Sequence, residues 1–136
     1  MAAKVRICAC GLGIQSGDTR LIKHIVMWNI RGETPAEKAD SVLLLQRSFE
    51  SLRGRIPGLL LLEIGVDSSR IDYACDVVLY SEFESQLALD AYAVHPEHLR
   101  VKRELADLRT ARHQVDYESL PAITTIDLKK KEATNG

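Results

Sequence analysis

The chain has 136 residues, with 18 lysines and arginines against 19 aspartates and glutamates, for a formal net charge of −1. That length fits one domain with its own core, 46% hydrophobic and 27% charged residues make an ordinary globular composition, and a near-neutral chain lacks the basic excess of a nucleic-acid or anionic-membrane binder. No apolar run approaches the ~20 residues that span a bilayer, and an odd set of three cysteines is no disulfide framework, so a reducing cytoplasm is the expected setting.

Residues 1–20 hold Lys4 and Arg6 ahead of a short apolar stretch. Gly11 and Gly13 interrupt it and no small-residue cleavage site follows, so this segment reads as a flexible extension rather than a signal peptide. Cys8 and Cys10 resemble half a metal site, but no second Cys/His cluster stands at a matching spacing. Leu21–Ile30, LIKHIVMWNI, has the length and the β-branched and aromatic content of a strand. His24, Val26 and Trp28 share one face, and Lys23, Ile25 and Met27 the other. Both faces are largely apolar, which predicts cover on both sides.

A helix follows. Thr34 is placed as its N-cap, Pro35 at the first helical position and Glu37 as the capping-box residue. Val42, Leu45, Phe49 and Leu52 form its apolar stripe with Leu44 adjoining, and Gly54, Pro57 and Gly58 end it. Leu59–Asp67 reads as a second strand and Cys75–Phe83 as a third, the latter with Val77, Leu79 and Phe83 on one face and Val78 and Tyr80 on the other. A second helix carries Leu87 and Ala91 on one stripe, with Leu89 and Tyr92 nearby. It breaks at His95–Pro96, because a residue before proline is pushed out of the helical region. The helix restarts at Pro96 with Leu99, Leu105 and Leu108 as apolar positions. Ala111–Ser119 alternates His113, Val115 and Tyr117 against Arg112, Gln114, Asp116 and Glu118, a fourth strand with one polar face. Residues 121–136 form a polar, lysine-rich tail.

The order β-α-β-β-α-β predicts an α+β, ferredoxin-like protomer: a four-stranded antiparallel sheet with helices on one face, spanning 21–120. The open sheet face would expose a large apolar patch, and a second copy in a two-fold homodimer is its simplest cover.

Several stretches, IKHIVMWNI, DVVLYSEFES, LDAYAVHPEHLRV and VDYE, occur in the order and spacing of the stress-responsive dimeric α/β-barrel (Dabb) domain, and the chain resembles that family over Leu21–Leu120. The family includes plant stress-induced proteins and the polyketide-cyclising olivetolic acid cyclase. The resemblance implies a protomer whose sheet packs on a partner's sheet to make a dimeric α/β barrel. It also implies a start near Leu21, which agrees with reading the preceding residues as an extension. By resemblance to the cyclase pattern of Tyr, two residues, His-Pro, one residue, His, it implies His98 as general base, His24 as a substrate-positioning residue and Tyr92 as a hydroxyl donor. Such chemistry is sensible for these types. A neutral imidazole takes a proton from carbon beside a carbonyl, and a phenol supports the carbonyl oxygen, with no metal or organic cofactor. Where the cyclase has a further tyrosine on its first long helix, this chain has Phe49. A substrate-holding hydroxyl is thereby missing, which puts the same cyclisation in doubt.

The pocket is expected between sheet and helices, with Trp28, Phe49, Val26 and Leu79 as its substrate-binding wall and a small apolar or carbonyl-containing molecule as ligand. Other readings stand beside this one. His95 and His98 are punctuation at a helix start, or His24 is a core histidine bonded to Tyr92 or to backbone. A metal site on His95 and His98 with Glu97 or Glu104 lacks an assured third ligand and is disfavoured. Trp28 is core or interface, and the basic run Arg100, Lys102, Arg103 and Arg109, interspersed with Glu97, Glu104 and Asp107, is a solvated face. The functional alternatives are therefore a homodimeric small-molecule binder acting in stress response or small-molecule handling, a cofactor-independent cyclase or lyase using His98, and a heme- or quinol-monooxygenase-like dimeric barrel. The last rests on fold analogy alone.

Overall fold

A computed structural model describes residues 20–120, so the expectations for residues 1–19 and 121–136 lie outside the described residues. Strand β1 is Leu21–Ile30, helix α1 Pro35–Glu50, strand β2 Leu59–Val66 and strand β3 Val77–Phe83. Helices α2 (Gln86–Ala93) and α3 (Pro96–Leu105) follow, then a 3-10 turn at Ala106–Leu108 and strand β4 (Arg109–Ser119). The sheet order is β2-β3-β1-β4, all neighbours antiparallel, as the ferredoxin-like reading requires.

Each boundary has a local cause. Thr34 Oγ1 accepts from the Glu37 backbone N–H at 3.1 Å, and the Glu37 carboxylate accepts from the Glu33 N–H at 2.9 Å, so the capping box closes one residue further out than its usual form. The break between α2 and α3 is His95, extended at φ −66° and ψ 137°, with Pro96 in the first turn behind it. Strand β3 begins two residues later than expected. Asp76 bends aside there, its carboxylate accepting from Ile30 N–H at 2.8 Å and pairing with Lys38 at 3.2 Å. Strand β4 begins two residues earlier than expected, directly out of the 3-10 turn, with Arg31 N–H donating to Leu108 O at 2.8 Å.

The core lies between one sheet face and the helices. Strand β1 buries every second residue, Ile22, His24, Val26, Trp28 and Ile30, and these pack with Val77, Leu79 and Phe83 of β3. The expected cover on both sides of β1 is met on one side only within the protomer, since Lys23, Ile25, Met27 and Asn29 stay half-buried. The helices contribute Leu45 and Phe49, then Leu89 and Tyr92, then Val101 and Leu105, and Leu52 is buried just beyond α1. Three leucines placed on apolar stripes by the sequence face outward instead: Leu44, Leu87 and Leu99 are exposed, and Val101 holds the position in α3 that Leu99 was expected to fill.

Candidate functional site

Strand β1 alternates, so His24, Val26 and Trp28 look toward the helices together. Above them a cavity of about 290 Å³ opens between sheet and helices. Val26, Trp28 and Leu79 form its floor and Phe49 closes one wall, its ring stacked on Trp28 at 5.4 Å. Tyr92 comes from α2, and His98 and Lys102 from α3 one turn apart. Arg109 and Arg112 come from β4. All seven residues singled out in the sequence border this one space. A second hollow of about 310 Å³ shares His24, Tyr92 and His98 and is bordered by Asp90, Gln114 and Asp116.

The three polar residues adjoin one another. Tyr92 meets the His24 ring edge-to-face at 6.2 Å and lies tilted by 33° against His98 at 4.2 Å, centroid to centroid. His24 is buried, and its Nδ1 meets the Asp116 carboxylate at 2.6 Å. A carboxylate accepts, so His24 Nδ1 carries a hydrogen and donates it. The partner is thus Asp116, not the Tyr92 or backbone group that the core-histidine reading supposed. His98 Nδ1 stands 3.2 Å from the Ala93 carbonyl. A carbonyl also only accepts, so Nδ1 donates and the neutral ring keeps its lone pair on Nε2. Burial pushes the His98 pKa below its ordinary 6.5. The Ala93 bond opposes that shift and the Lys102 charge adds to it. His98 is therefore a neutral imidazole at neutral pH. Burial likewise drives the Tyr92 phenol well above its ordinary range, so it stays a protonated donor. Among the described residues the Tyr92 hydroxyl has no hydrogen-bond partner, although the side chain is only 3% exposed.

His95 stands apart. Its Nδ1 accepts from the Glu97 backbone N–H at 3.0 Å and caps α3. That bond occupies one nitrogen of the His95–His98 metal option, and among the described residues no group of three or more His, Cys, Asp or Glu side chains is placed to hold a metal ion.

Sequence reasoning missed the contribution of β4. The polar face Arg112, Gln114 and Asp116 looks toward the helices, not away from them, and forms a ladder. Arg112 donates to Gln114, Gln114 donates to Asp116 at 2.9 Å, and Asp116 receives His24. The signal was present as the alternation of β4, and only the pairing of β4 beside β1 assigns that face to the cavity. Arg109 was placed in a solvated basic face. It is half-buried instead, with its guanidinium 5.4 Å from the centre of the Trp28 ring.

Comparison with known proteins points one way. The model of the family described as the stress responsive A/B barrel domain matches residues 22–119. A dimeric ferredoxin-like protein of unknown function from Bacteroides fragilis is 31% identical, with a TM-score of 0.60 over 73% of this chain and 96% of its own. A dimeric ferredoxin-like protein from Jannaschia is 26% identical, with a TM-score of 0.60 over 73% of this chain and 99% of its own. The hydroxynitrile lyase of Passiflora edulis shares the fold at 13% identity, with a TM-score of 0.59 over 78% of this chain and 99% of its own. Among curated proteins none matches the sequence.

Proposed function

The chain belongs to the stress-responsive A/B barrel (Dabb) family, and from that premise we propose that each protomer of a homodimer binds a small carbonyl-containing molecule in the cavity between its sheet and its helices. One observation carries this reading: His24, Tyr92 and His98, from three separate elements, converge on a single apolar-floored space. Its 290 Å³ lies just below the ~300–1,000 Å³ common for drug-sized ligand sites, which suits a small ligand. A buried phenol without a protein acceptor supplies the hydrogen bond that a carbonyl oxygen accepts. Titrating the protein with aryl and alkyl ketones while following its melting temperature tests this, because a ligand of the folded state raises the temperature by mass action. A stabilisation that disappears in Tyr92→Phe supports the reading. No response to any ketone up to millimolar concentration refutes it.

A second reading has its own observation, the neutral His98 with Nδ1 engaged and Nε2 free. In it, His98 Nε2 takes a proton from the carbon next to the carbonyl, and Tyr92 donates a hydrogen bond to the oxygen as the enolate forms. The proton then returns to carbon, or the enolate carbon adds to a second carbonyl of the same substrate, whose C=O π bond opens to an alkoxide that takes the proton back from His98, as in a cyclase. Exchange of the α-protons of a bound ketone in D2O, followed by NMR, measures the step directly. His98→Ala slows exchange by ~100-fold or more if the imidazole is the base, and unchanged exchange removes it from that role.

A further inference from the structure

We propose that the cavity selects a carbonyl compound that also bears a carboxylate, with Arg109, Arg112 and Lys102 receiving the carboxylate and the Trp28–Phe49 wall receiving its planar apolar part. This rests on the small-molecule reading above and narrows its ligand class.

Three cations from two elements, α3 and β4, border one small space. Several cations elsewhere are paired, Arg31 with Asp107, Lys38 with Asp76, Arg53 with Glu50, Arg55 with Glu97, and Arg100 with both Glu97 and Glu104, while Lys23, Arg47, Arg70 and Arg103, away from the cavity, have no ion pair among the described residues. Among the described residues no carboxylate lies within ion-pair distance of Lys102, Arg109 or Arg112. Of the two acids in the adjoining hollow, Asp116 is shared between His24 and Gln114 and Asp90 accepts from Gln86, and Arg112 reaches only the neutral Gln114 amide. Lys102 and Arg112 reach solvent while Arg109 is half-buried, so the cost of gathering like charges falls on Arg109. Arg109 shows the cost, since burial first and the Arg112 charge second lower its pKa. A guanidinium resting on an indole keeps its in-plane N–H donors available, and their fork matches a carboxylate in bidentate fashion. The stacked Trp28 and Phe49 rings favour a flat, unsaturated body beside that anion.

Trp28 is the only tryptophan in the chain and borders the cavity, so its emission reports occupancy. The test titrates benzoylformate and its uncharged methyl ester against the full chain and compares the two dissociation constants. Benzoylformate is expected to bind at least ~10-fold more tightly, the value of one charge-assisted hydrogen bond. Arg109→Met and the more exposed Arg112→Gln should each shrink that preference, and added salt should weaken it. If the ester binds as well as the acid, or the preference survives both substitutions, the inference is overturned while the small-molecule reading stands. If neither compound alters the emission, the inference is overturned, and the small-molecule reading is decided by the ketone titration above.

Discussion

At the residue scale the two histidines either side of Pro96 have separate tasks, and substitution should separate them. His95→Ala removes the cap on Glu97 N–H and should cost about 1 kcal/mol of stability in denaturant unfolding, with ligand affinity little changed. His98→Ala should leave the fold intact and remove proton exchange. Acid should act on both through His98. Its pKa is lowered from 6.5 by burial, so below pH 6.5 the unfolded chain holds a proton there that the folded chain lacks. Stability contributed at this position is therefore present above that pH and falls as pH drops from 6.5 toward the lowered value. In His98→Gln, melting temperature should depend less steeply on pH across that window. An unchanged slope would show that His98 is not held neutral. Asp116→Ala strands the buried His24 Nδ1–H and should destabilise by about 1–3 kcal/mol, whereas Asp116→Asn keeps an acceptor and should recover most of the loss. How far the site was legible divides along the same line. His24, Tyr92 and His98 were named through the resemblance to the cyclase pattern, but Asp116, Arg109 and Arg112 were not. A charged residue on an alternating strand faces solvent or a cavity with equal ease, and the neighbouring strand decides which.

At the element scale, strand alternation transmitted well and helix phase transmitted poorly. In β1 and β3 a period of two fixes each side chain's face, and the expected faces match the buried sets Ile22 to Ile30 and Val77 to Phe83. Helices α2 and α3 have only 8 and 10 residues, too few turns for apolar spacing to define a stripe, and the break at Pro96 resets the phase between them. Leucine at 87 and 99 thus sits outside, while Tyr92 and Val101 fill the core. The turn into β2 carries a sharper constraint. Gly58 has φ +82°, and a Cβ there would stand 2.5 Å from the Ala88 Cβ on α2. Gly58→Ala should therefore cost at least ~1–3 kcal/mol from the backbone alone, with the clash in addition. A melting temperature equal to that of the parent would show that α2 does not press on this turn.

At the scale of the whole molecule the sheet separates two surfaces. Its inner face carries the cavity. Its outer face presents Ile25 and Met27 of β1, Val78 of β3, and Val115 and Tyr117 of β4, the last two 49% and 45% exposed. Similar structures are described as dimeric, and a second copy on this face would bury more than the ~1,000 Å² that a stable interface needs. Met27→Asp should give a folded monomer by light scattering, because Met27 lies outside the protomer core. Val77→Asp should unfold the chain, because Val77 is 2% exposed beneath the helices. A Met27→Asp protein that stays dimeric would place the interface elsewhere. Among the described residues no helix is long and apolar enough to cross a membrane, and the ligand claim concerns the inner face alone. That claim is tested most directly by proton NMR of the four histidines, His24, His95, His98 and His113, during titration with benzoylformate. The account predicts that the ring resonances of His24 and His98 move together and saturate while those of His95 and His113 stay in place. Movement of His113 or His95 without His24 and His98, or movement of none, would contradict it.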